Sequence, residues 1–313
     1  MKWLVTGSSG YIGQHVILSM LENGFEVVGM DAIKPDQHSP VASKIKHYQM
    51  DLLDIPEVLE LIKNEKCQGI INLAALKSVE DSIKNPSSYF SVNCEAPLSL
   101  LNESSKYGIK YFIQSSTAAV YGNFKGNFAD ENSPTFPISP YGKSKLDFEE
   151  KLQHYTAHSD ISSTSLRFFN VLGSGGKSLR DKSRTNILPK IIDAISNGKK
   201  PKVFGTDYPT PDGTCVRDYV HVEDVAYAHT LAAAKILSTN LPPVMNLGTG
   251  KGHSVLEVIR KVEEVLGVSI DVEFAERRQG DVASLVASVD LARDFLSFKS
   301  TKSFDEMIES ALE

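Results

Sequence analysis

Short apolar runs alternate with longer stretches of helical periodicity over the first 170 residues. The run from Lys2 to Thr6 is followed by apolar positions spaced as on one face of a helix, up to Asn23-Gly24. Similar runs predict further buried strands at residues 26–30, 47–50, 69–73, 110–114 and 162–167. Repeated strand–helix units of this length predict an α/β fold, with a doubly wound parallel sheet covered by helices on both faces.

This alternation weakens after residue 170. Residues 171–185 are rich in Gly, Ser and Lys, which predicts a long loop. Later runs predict strands at 214–220 and 244–247. The glycine cluster at 248–252 precedes another helix, but no acid-ended strand follows at the distance that a second nucleotide loop requires. We therefore expect one domain of residues 1–170, to which about 215–250 returns, and a smaller lobe made mainly of 171–313.

The turn after the first strand carries Gly7, Gly10 and Gly13, and the second strand is followed by Asp31. Strand, glycine-rich turn, helix, strand and acid form the dinucleotide-binding unit of a Rossmann-like fold. The glycines let the backbone approach a pyrophosphate, which the helix N-terminus stabilises. Asp31 lies 18 residues after Gly13, where its carboxylate can accept hydrogen bonds from ribose hydroxyls and would repel a 2′-phosphate. The unit therefore favours NAD over NADP. Lys34, three residues after Asp31, is a weak argument for NADP.

Residues near the carboxyl ends of the other strands extend this site, because ligands bind there in such sheets. Asp51-Leu52 follows the third strand and can frame an adenine. Ala74-Ala75 follows the fourth strand and is small enough for close approach of a cofactor, or simply for tight packing. Lys77 and Thr117 lie at the same edge. Asn93, in a long helical region, either bonds the cofactor or caps a turn.

A second group of candidate residues is Tyr141 and Lys145, four residues apart. If Pro140 opens a helix, the two side chains share one face and lie about 6 Å apart along the axis. A free tyrosine has a pKa of about 10, and a cation beside the phenol lowers it. The pair can then transfer a proton at neutral pH. The alternative is a surface helix with scattered lysines, which has no chemistry.

Composition narrows the classes of function. The chain has 313 residues and a net charge of -6, which argues against nucleic acid as a main partner. Its three cysteines are far apart in sequence and predict neither a disulfide framework nor a metal site. The apolar run at the N-terminus is too short for a signal peptide, and no stretch approaches the ~20 apolar residues of a membrane span. We therefore expect a cytoplasmic protein without a metal or a membrane partner.

Three motifs together resemble the extended short-chain dehydrogenase/reductase family: the glycine turn, Ser115-Ser116-Thr117, and Tyr141-x-x-x-Lys145. Later segments look like the UDP-galactose 4-epimerases of that family, namely FGTDYPTPDGTCVRDYVHV at 204–222, NLGTG at 246–250 and RRQGD at 277–281. The resemblance covers nearly the whole chain. It implies tightly held NAD and reversible inversion at C4 of a UDP-hexose, as in UDP-glucose and UDP-galactose, through a transient 4-keto sugar.

The resemblance also implies roles for individual residues. Tyr141 would take the proton from the 4-hydroxyl while hydride passes to the nicotinamide, and Thr117 would hydrogen-bond the reacting oxygen. Lys145 would bind the nicotinamide ribose and lower the pKa of Tyr141. Besides the residues already named, the cofactor would contact Tyr11, Ile12, Leu73, Ser115 and Phe169. The UDP-sugar would be held by Lys77, Thr117, Tyr141, Asn170, Asn186, Ile187, Val203, Phe204, Arg217, Arg278 and Asp281.

Arginine suits the pyrophosphate of such a substrate, because its guanidinium can bind two oxygens at once. The alternative for Arg217 and Arg278 is a pair of surface salt bridges. Leu285 stands where some relatives have tyrosine. A smaller residue there would admit the N-acetyl group of UDP-GlcNAc or UDP-GalNAc, so the hexose is left open.

Two other classes of protein share this fold. Nucleotide-sugar dehydratases and decarboxylases carry an acid within two residues of the strand-end threonine, whereas this chain has Ala118 and Ala119. Non-catalytic NAD-binding proteins can lose the Tyr/Lys pair, which this chain retains. The family also implies a homodimer through helices around 93–106 and 144–154, whose apolar stripes can equally be core.

Overall fold

The computed structural model describes residues 1–126, 128–183, 185–278 and 280–313, so Gln279 of the RRQGD segment lies outside the described residues. The strands are β1 (Lys2–Thr6), β2 (Glu26–Asp31), β3 (Lys46–Gln49), β4 (Gly69–Asn72), β5 (Tyr111–Thr117), β6 (Ser162–Phe168), β7 (Asn170–Leu172), β8 (Lys202–Phe204), β9 (Val216–His221), β10 (Val244–Leu247), β11 (Gly252–Ser254), β12 (Glu273–Ala275) and β13 (Ser284–Leu285). The α-helices are α1 (Tyr11–Glu22), α2 (Ile55–Glu65), α3 (Val79–Lys84), α4 (Pro86–Phe90), α5 (Ala96–Ser104), α6 (Pro140–Thr156), α7 (Ile187–Ser196), α8 (Val222–Lys235), α9 (Val255–Leu266), α10 (Asp290–Leu296) and α11 (Phe304–Leu312).

The largest sheet has seven parallel strands in the order β10-β6-β5-β4-β1-β2-β3. Alternate residues of its strands enter different cores. Trp3 and Val5 pack with α1 residues such as Val16, whereas Leu4 packs in a second cluster with Phe148 of α6. This confirms the predicted doubly wound sheet. Its strand order reverses between β1 and β4, where such sheets form a ligand crevice.

A smaller sheet is centred on β9, which pairs with β7 and β13 in parallel and with β11 antiparallel. Strands β8 and β12 form a separate parallel pair. A third core, which includes Leu172, Tyr219 and Val262, lies with these strands. Of the segment 215–250, β9 belongs to the small sheet, whereas α8 packs on α1 and β10 joins the large sheet.

Helix α6 opens as predicted, with Pro140 in its first turn. The Ser139 hydroxyl caps it by accepting a hydrogen bond from the Gly142 N–H at 3.1 Å. A side chain at Gly142 would stand 2.8 Å from the Ala119 carbonyl oxygen. The missing Cβ thus lets α6 begin directly against the turn that follows β5, which puts Tyr141 beside the end of that strand.

None of the helices in the described ranges combines the length and the apolar character that crossing a membrane requires.

Candidate active site

The loops after β1 and β4 meet at the crevice between these strands. Gly7 has φ +68°, and a Cβ there would stand 2.7 Å from the Ala74 nitrogen. The Thr6 hydroxyl accepts from the Ala74 N–H at 3.2 Å and donates to Asn72 Oδ1 at 2.6 Å. The predicted glycine turn is therefore held tightly against the backbone after β4. Gly10 precedes α1 and gives it no side-chain cap, which leaves the first N–H groups of the helix for a ligand.

Asp31 is fixed at the end of β2. Its carboxylate accepts from the Ser9 N–H at 2.9 Å and from the Ile33 N–H at 3.1 Å. One bond is used on each oxygen, and a carboxylate can accept about four. The half-buried group keeps acceptor capacity for two ribose hydroxyls.

Tyr141, Thr117 and Lys145 gather at the end of β5. The Tyr141 ring packs edge-on against Tyr89, with the ring centroids 6.4 Å apart. Lys145 is 3% exposed, and its ammonium donates to the Ser115 carbonyl oxygen at 3.1 Å. An ammonium has three donors, so this contact leaves others for ligand hydroxyls. Burial lowers the pKa of Lys145 to about 8, and the Glu149 carboxylate opposes this shift.

The pKa of Tyr141 differs from the sequence-based expectation. Burial raises the pKa of the phenol, and a polar contact from the Thr117 hydroxyl offsets only part of the rise. Lys145 does not produce the expected lowering, because its ammonium donates to the Ser115 carbonyl oxygen and does not act on the phenol. A positive charge brought beside the phenol would be needed to favour the phenolate.

Asn93 lies in a π-helical turn at Ser91–Glu95, which joins α4 to α5. Its amide oxygen accepts from the Leu76 N–H at 2.8 Å, and its amide nitrogen donates to the Leu76 carbonyl and to Ser144 Oγ. Both N–H groups are therefore used within the protein. The geometry favours the second of the two predicted roles, because Asn93 pins the loop after β4 and does not present its amide donors to a cofactor.

The arginines of the substrate side have different surroundings. One guanidinium nitrogen of Arg217 donates to the Val216 and Val282 carbonyls, each at 2.8 Å, and the other faces Asp281 at 3.3 Å. Arg278 is exposed, and its guanidinium carbon lies 3.8 Å from the centroid of the Phe204 ring. Among the described residues no ion pair includes Arg278. The surface-salt-bridge alternative therefore fits neither arginine well, since Arg217 is mostly buried.

The remaining predicted site residues divide into those that are exposed or half-buried and those whose side chains pack in or against the core. Asn186 directly precedes α7 without capping it and donates to the Asp181 carboxylate at 2.5 Å. Asn170 is exposed at the start of β7, and Lys77 and Asp51 are exposed in loops. Tyr11, Ile12, Leu73 and Ala75 are half-buried around the crevice. By contrast, the side chains of Leu52 and Val203 belong to core clusters, and Ile187 packs against one. Leu52 and Val203 can thus contact a ligand mainly through their backbones.

Leu285 and Phe169 belong to one small apolar cluster with Ala118. Leu285 is 8% exposed and stands in register with Arg217 on the neighbouring strand. This cluster lies directly after the Thr117 strand end, since Ala118 is the next residue. The side chain at 285 therefore packs in the same cluster as the residue that follows Thr117.

Sequence reasoning missed Asp218, a fully buried acid on β9. Its carboxylate accepts from the N–H groups of Thr249, Gly250 and Ala287 at 2.8, 2.9 and 3.1 Å. Burial raises its pKa in spite of these bonds. The glycine cluster after β10 thus binds an internal carboxylate, which agrees with its rejection as a second phosphate loop. The signal that could have identified it was an acid directly before the apolar pair Tyr219-Val220 of a predicted strand.

A buried ion pair behind Lys145 was missed as well. The Arg167 guanidinium on β6 donates to both oxygens of Glu149 on α6, with the shortest bond at 2.5 Å, and to the Tyr121 hydroxyl at 3.1 Å. Glu149 is four residues after Lys145 on the same helix. The pair therefore holds α6 against the large sheet and fixes the position of Lys145 relative to the strand ends.

These features fit a bound NAD molecule. The tight glycine turn leaves backbone N–H groups for a pyrophosphate, Asp31 retains acceptors for a ribose, and Lys145 retains donors for a second ribose. The Ser116 hydroxyl is buried at the same strand end without a partner among the described residues. No cluster of three or more His, Cys, Asp or Glu side chains in the described ranges could hold a metal ion.

Comparisons with known proteins agree with this geometry. A model described as the NAD dependent epimerase/dehydratase family matches residues 3–248. A UDP-glucose 4-epimerase of Lactobacillus helveticus is 38% identical over an alignment of 316 positions, which covers 99% of this chain and 96% of the relative. Two crystal structures of UDP-glucose 4-epimerases are each 34% identical to this chain. The one from Stenotrophomonas maltophila, with bound NAD and formylated UDP-arabinopyranose, has a TM-score of 0.94 and covers 99% of this chain and 96% of that one. The one from Bifidobacterium longum, in complex with NAD+ and UDP, has a TM-score of 0.90 and covers 100% and 97%. The chain belongs to the NAD-dependent epimerase/dehydratase family.

Proposed function

We propose that this protein is an NAD-dependent enzyme that reversibly epimerises a UDP-hexose at C4. The observation that carries the proposal is the gathering of Tyr141, Thr117 and Lys145 at the end of β5, beside a crevice shaped for a dinucleotide. Full-length similarity to UDP-glucose 4-epimerases supports the same substrate class.

The cofactor is held from the large sheet. The glycine turn and the N-terminus of α1 bind the pyrophosphate, Asp31 accepts from the adenosine ribose, and Lys145 donates to the nicotinamide ribose. The remaining contacts with the cofactor come from Ser115, Phe169 and the loop of residues 73–77. When bound, NAD supplies the reversible acceptor for the hydride of C4.

The proton is handled by Tyr141. Its phenol takes the proton of the 4-hydroxyl and later returns it, and Thr117 holds the reacting oxygen. The high pKa of the phenol means that the positive charge of the assembled site is needed to make it a base. Inversion requires hydride to leave one face of C4 and to return to the other, so the 4-keto sugar must turn within the cavity.

The substrate side holds the UDP group. Arg217 and Arg278 face its pyrophosphate, while Asn170, Asn186, Phe204 and Asp281 complete the contacts. The Arg217 guanidinium is held on two carbonyl oxygens and that of Arg278 lies over the Phe204 ring, so both need little ordering when an anion binds. We assign these contacts to the smaller lobe, mainly 171–313, and the cofactor contacts to the domain of 1–170 with its returning segments.

The choice of hexose depends on position 285. Leucine there, packed with Ala118 and Phe169, leaves more room than a tyrosine would. We therefore propose that UDP-GlcNAc and UDP-GalNAc are accepted beside UDP-glucose and UDP-galactose.

The test is incubation of the purified protein with each of these four UDP-sugars, without added NAD, followed by separation of the products. Interconversion within one pair establishes 4-epimerisation with retained cofactor, and conversion in both pairs supports the role of Leu285. A 4-keto-6-deoxy product or released carbon dioxide would instead point to a dehydratase or a decarboxylase. Absence of any conversion with NAD supplied would refute the proposal.

A cytoplasmic homodimer completes the proposal. The apolar residues of the two helices that suggested an interface, among them Leu100, Leu101, Phe148 and Leu152, lie in the core. The exposed positions of the same helices, such as Lys143 and Gln153, are polar. A dimer through this face would therefore be polar at its centre, and light scattering distinguishes it from a 34.3 kDa monomer.

A further inference from the structure

The turn at residues 173–176, which follows β7, is held by side chains of the cofactor helix. The Tyr11 hydroxyl donates to the Gly173 carbonyl at 2.6 Å. One turn further along α1, the ring of His15 accepts from the Gly175 N–H through Nε2 at 2.9 Å. The two residues also pack against each other, with their rings edge to face at 5.4 Å.

The bonds of His15 fix its protonation state. Nδ1 lies 2.7 Å from the Tyr11 carbonyl oxygen, which only accepts, so Nδ1 carries the proton. Nε2 then offers its lone pair to Gly175. Both nitrogens of this buried ring, 3% exposed, are committed. The imidazole therefore joins the first turn of α1 to the loop in one geometry.

The small-sheet side holds the same turn from the opposite direction. The Ser310 hydroxyl accepts from the Ser174 N–H at 3.2 Å and lies 3.0 Å from His221 Nε2. Gly173 has φ +88°, and a Cβ there would collide with the His221 ring. With contacts on both sides, the turn has little freedom to shift.

This turn begins the segment that ends at Asn186. Within it, Asp181 accepts from the Asn186 amide, and Lys182 pairs with Asp36 in the loop after β2. Because Asp181 in this segment holds the Asn186 amide, we expect a displacement of 173–176 to affect the N-terminus of α7, where the UDP-sugar is proposed to bind.

We propose that His15, together with the Tyr11 hydroxyl, is a positioning residue for the substrate side: from the cofactor helix it sets the place of the loop that carries Asn186. The inference rests on the proposed binding of a UDP-sugar, and it links the two halves of the site through protein contacts alone.

The chain provides a matched control in His229 on α8. Its Nδ1 makes the same bond to a carbonyl four residues earlier, that of Val225 at 2.8 Å. It is fully buried, and its Nε2 has no partner among the described residues. Replacing either histidine by leucine removes a buried imidazole from a helix, but only His15 connects its helix to the turn.

The experiment compares His15→Leu, His15→Gln, Tyr11→Phe and His229→Leu with the wild-type protein, all saturated with NAD. Calorimetric titration with UDP gives the affinity, and the NAD content and melting temperature are measured in parallel. We expect His15→Leu to bind UDP about 10-fold more weakly with NAD content retained, the loss expected for one hydrogen bond. Tyr11→Phe, which removes the other bond to the turn, should weaken UDP binding by a similar factor. His15→Gln should recover part of the affinity, since its amide oxygen can accept from Gly175. His229→Leu should lower the melting temperature but change UDP affinity by less than about twofold.

Equal UDP affinities in His15→Leu and His229→Leu would overturn the inference, and so would loss of NAD with unchanged UDP affinity. If His15→Leu does not fold, Tyr11→Phe decides, because it removes only one oxygen. If the wild-type protein binds no UDP, the proposed function is overturned as well. If the wild-type protein binds UDP and the variants bind it with the same affinity, only the inference is overturned.

Discussion

The cofactor side and the substrate side of the candidate site are specified in different ways. Gly7, Gly10, Gly13 and Asp31 lie within one strand–helix–strand unit of the large sheet. On the substrate side, Asn186, Arg217 and Arg278 lie in segments that are far apart in sequence. The strands of this part of the chain have only two to six residues. Short-range patterns therefore predict the first region, whereas the second depends on pairings between distant segments. If this division is real, substitutions should separate NAD binding, UDP binding and turnover.

The largest effect is expected where the two sides meet. Tyr141→Phe removes the group that moves the proton, so turnover should fall by about 10²- to 10⁴-fold while NAD and UDP both stay bound. Turnover and NAD content of the purified variant are the measurements. Tyr227→Phe, at a half-exposed tyrosine of α8, is the control and should behave as wild type. Unchanged turnover in Tyr141→Phe would exclude Tyr141 from the mechanism.

A smaller effect, restricted to the substrate side, is expected from Arg217→Lys. Lysine keeps the charge but loses the fork that bonds two carbonyl oxygens and faces Asp281, so UDP should bind about 10- to 100-fold more weakly with unchanged NAD affinity. Titration with UDP measures it. Arg277→Lys is the matched control, because Arg277 pairs with exposed Asp207 and such pairs contribute little. Equal losses in the two variants would contradict the assignment of Arg217.

The converse effect is expected from Asp31→Asn. Loss of the carboxylate removes a charged acceptor from the cofactor side, so the affinity for NADH should fall about 10-fold. The ratio of NADH affinity to NADPH affinity should decrease, because the carboxylate no longer repels a 2′-phosphate. UDP affinity should not change. Asp36→Asn, in the same connection but exposed, tests whether any acid there has this effect. Parallel losses of NADH and UDP affinity would mean that the two sides are not separable.

The smallest effects concern the dependence of stability on pH. Two buried histidines carry it, His221 at the end of β9 and His229 on α8. Burial lowers the pKa of His221 and of His229 to about 4, below the ordinary value of 6.5. Between these values the unfolded chain binds more protons than the folded one, so stability is complete above pH 6.5 and falls as the pH approaches 4. Near pH 5.5 each should contribute a loss of about 1 kcal/mol. Melting temperatures from pH 7.5 to 5 measure this, and His229→Leu should flatten part of the slope.

The sequence predicted the large sheet, the Pro140 helix start and the residues grouped at the ends of β1, β2 and β5, because each follows from local periodicity or a short motif. It also predicted β9 to begin at Thr214, whereas the strand runs from Val216 to His221 and pairs with three others. Pairing partners of such short strands are set by tertiary packing, which no local pattern encodes. The direction of the Tyr141 pKa was missed for a similar reason, since burial is a property of the whole fold.

The Asp218 carboxylate has a consequence for how the molecule folds. The acid belongs to the small sheet, and two of its backbone donors belong to the turn that leaves β10, an edge strand of the large sheet. Until both sheets have formed, this turn lacks its acceptor and the carboxylate lacks two of its three backbone donors. A buried charge without partners costs several kcal/mol, so a state with only one sheet formed is penalised. We therefore expect the two sheets to be lost together in one cooperative unfolding transition, and the contact between them to form late in folding.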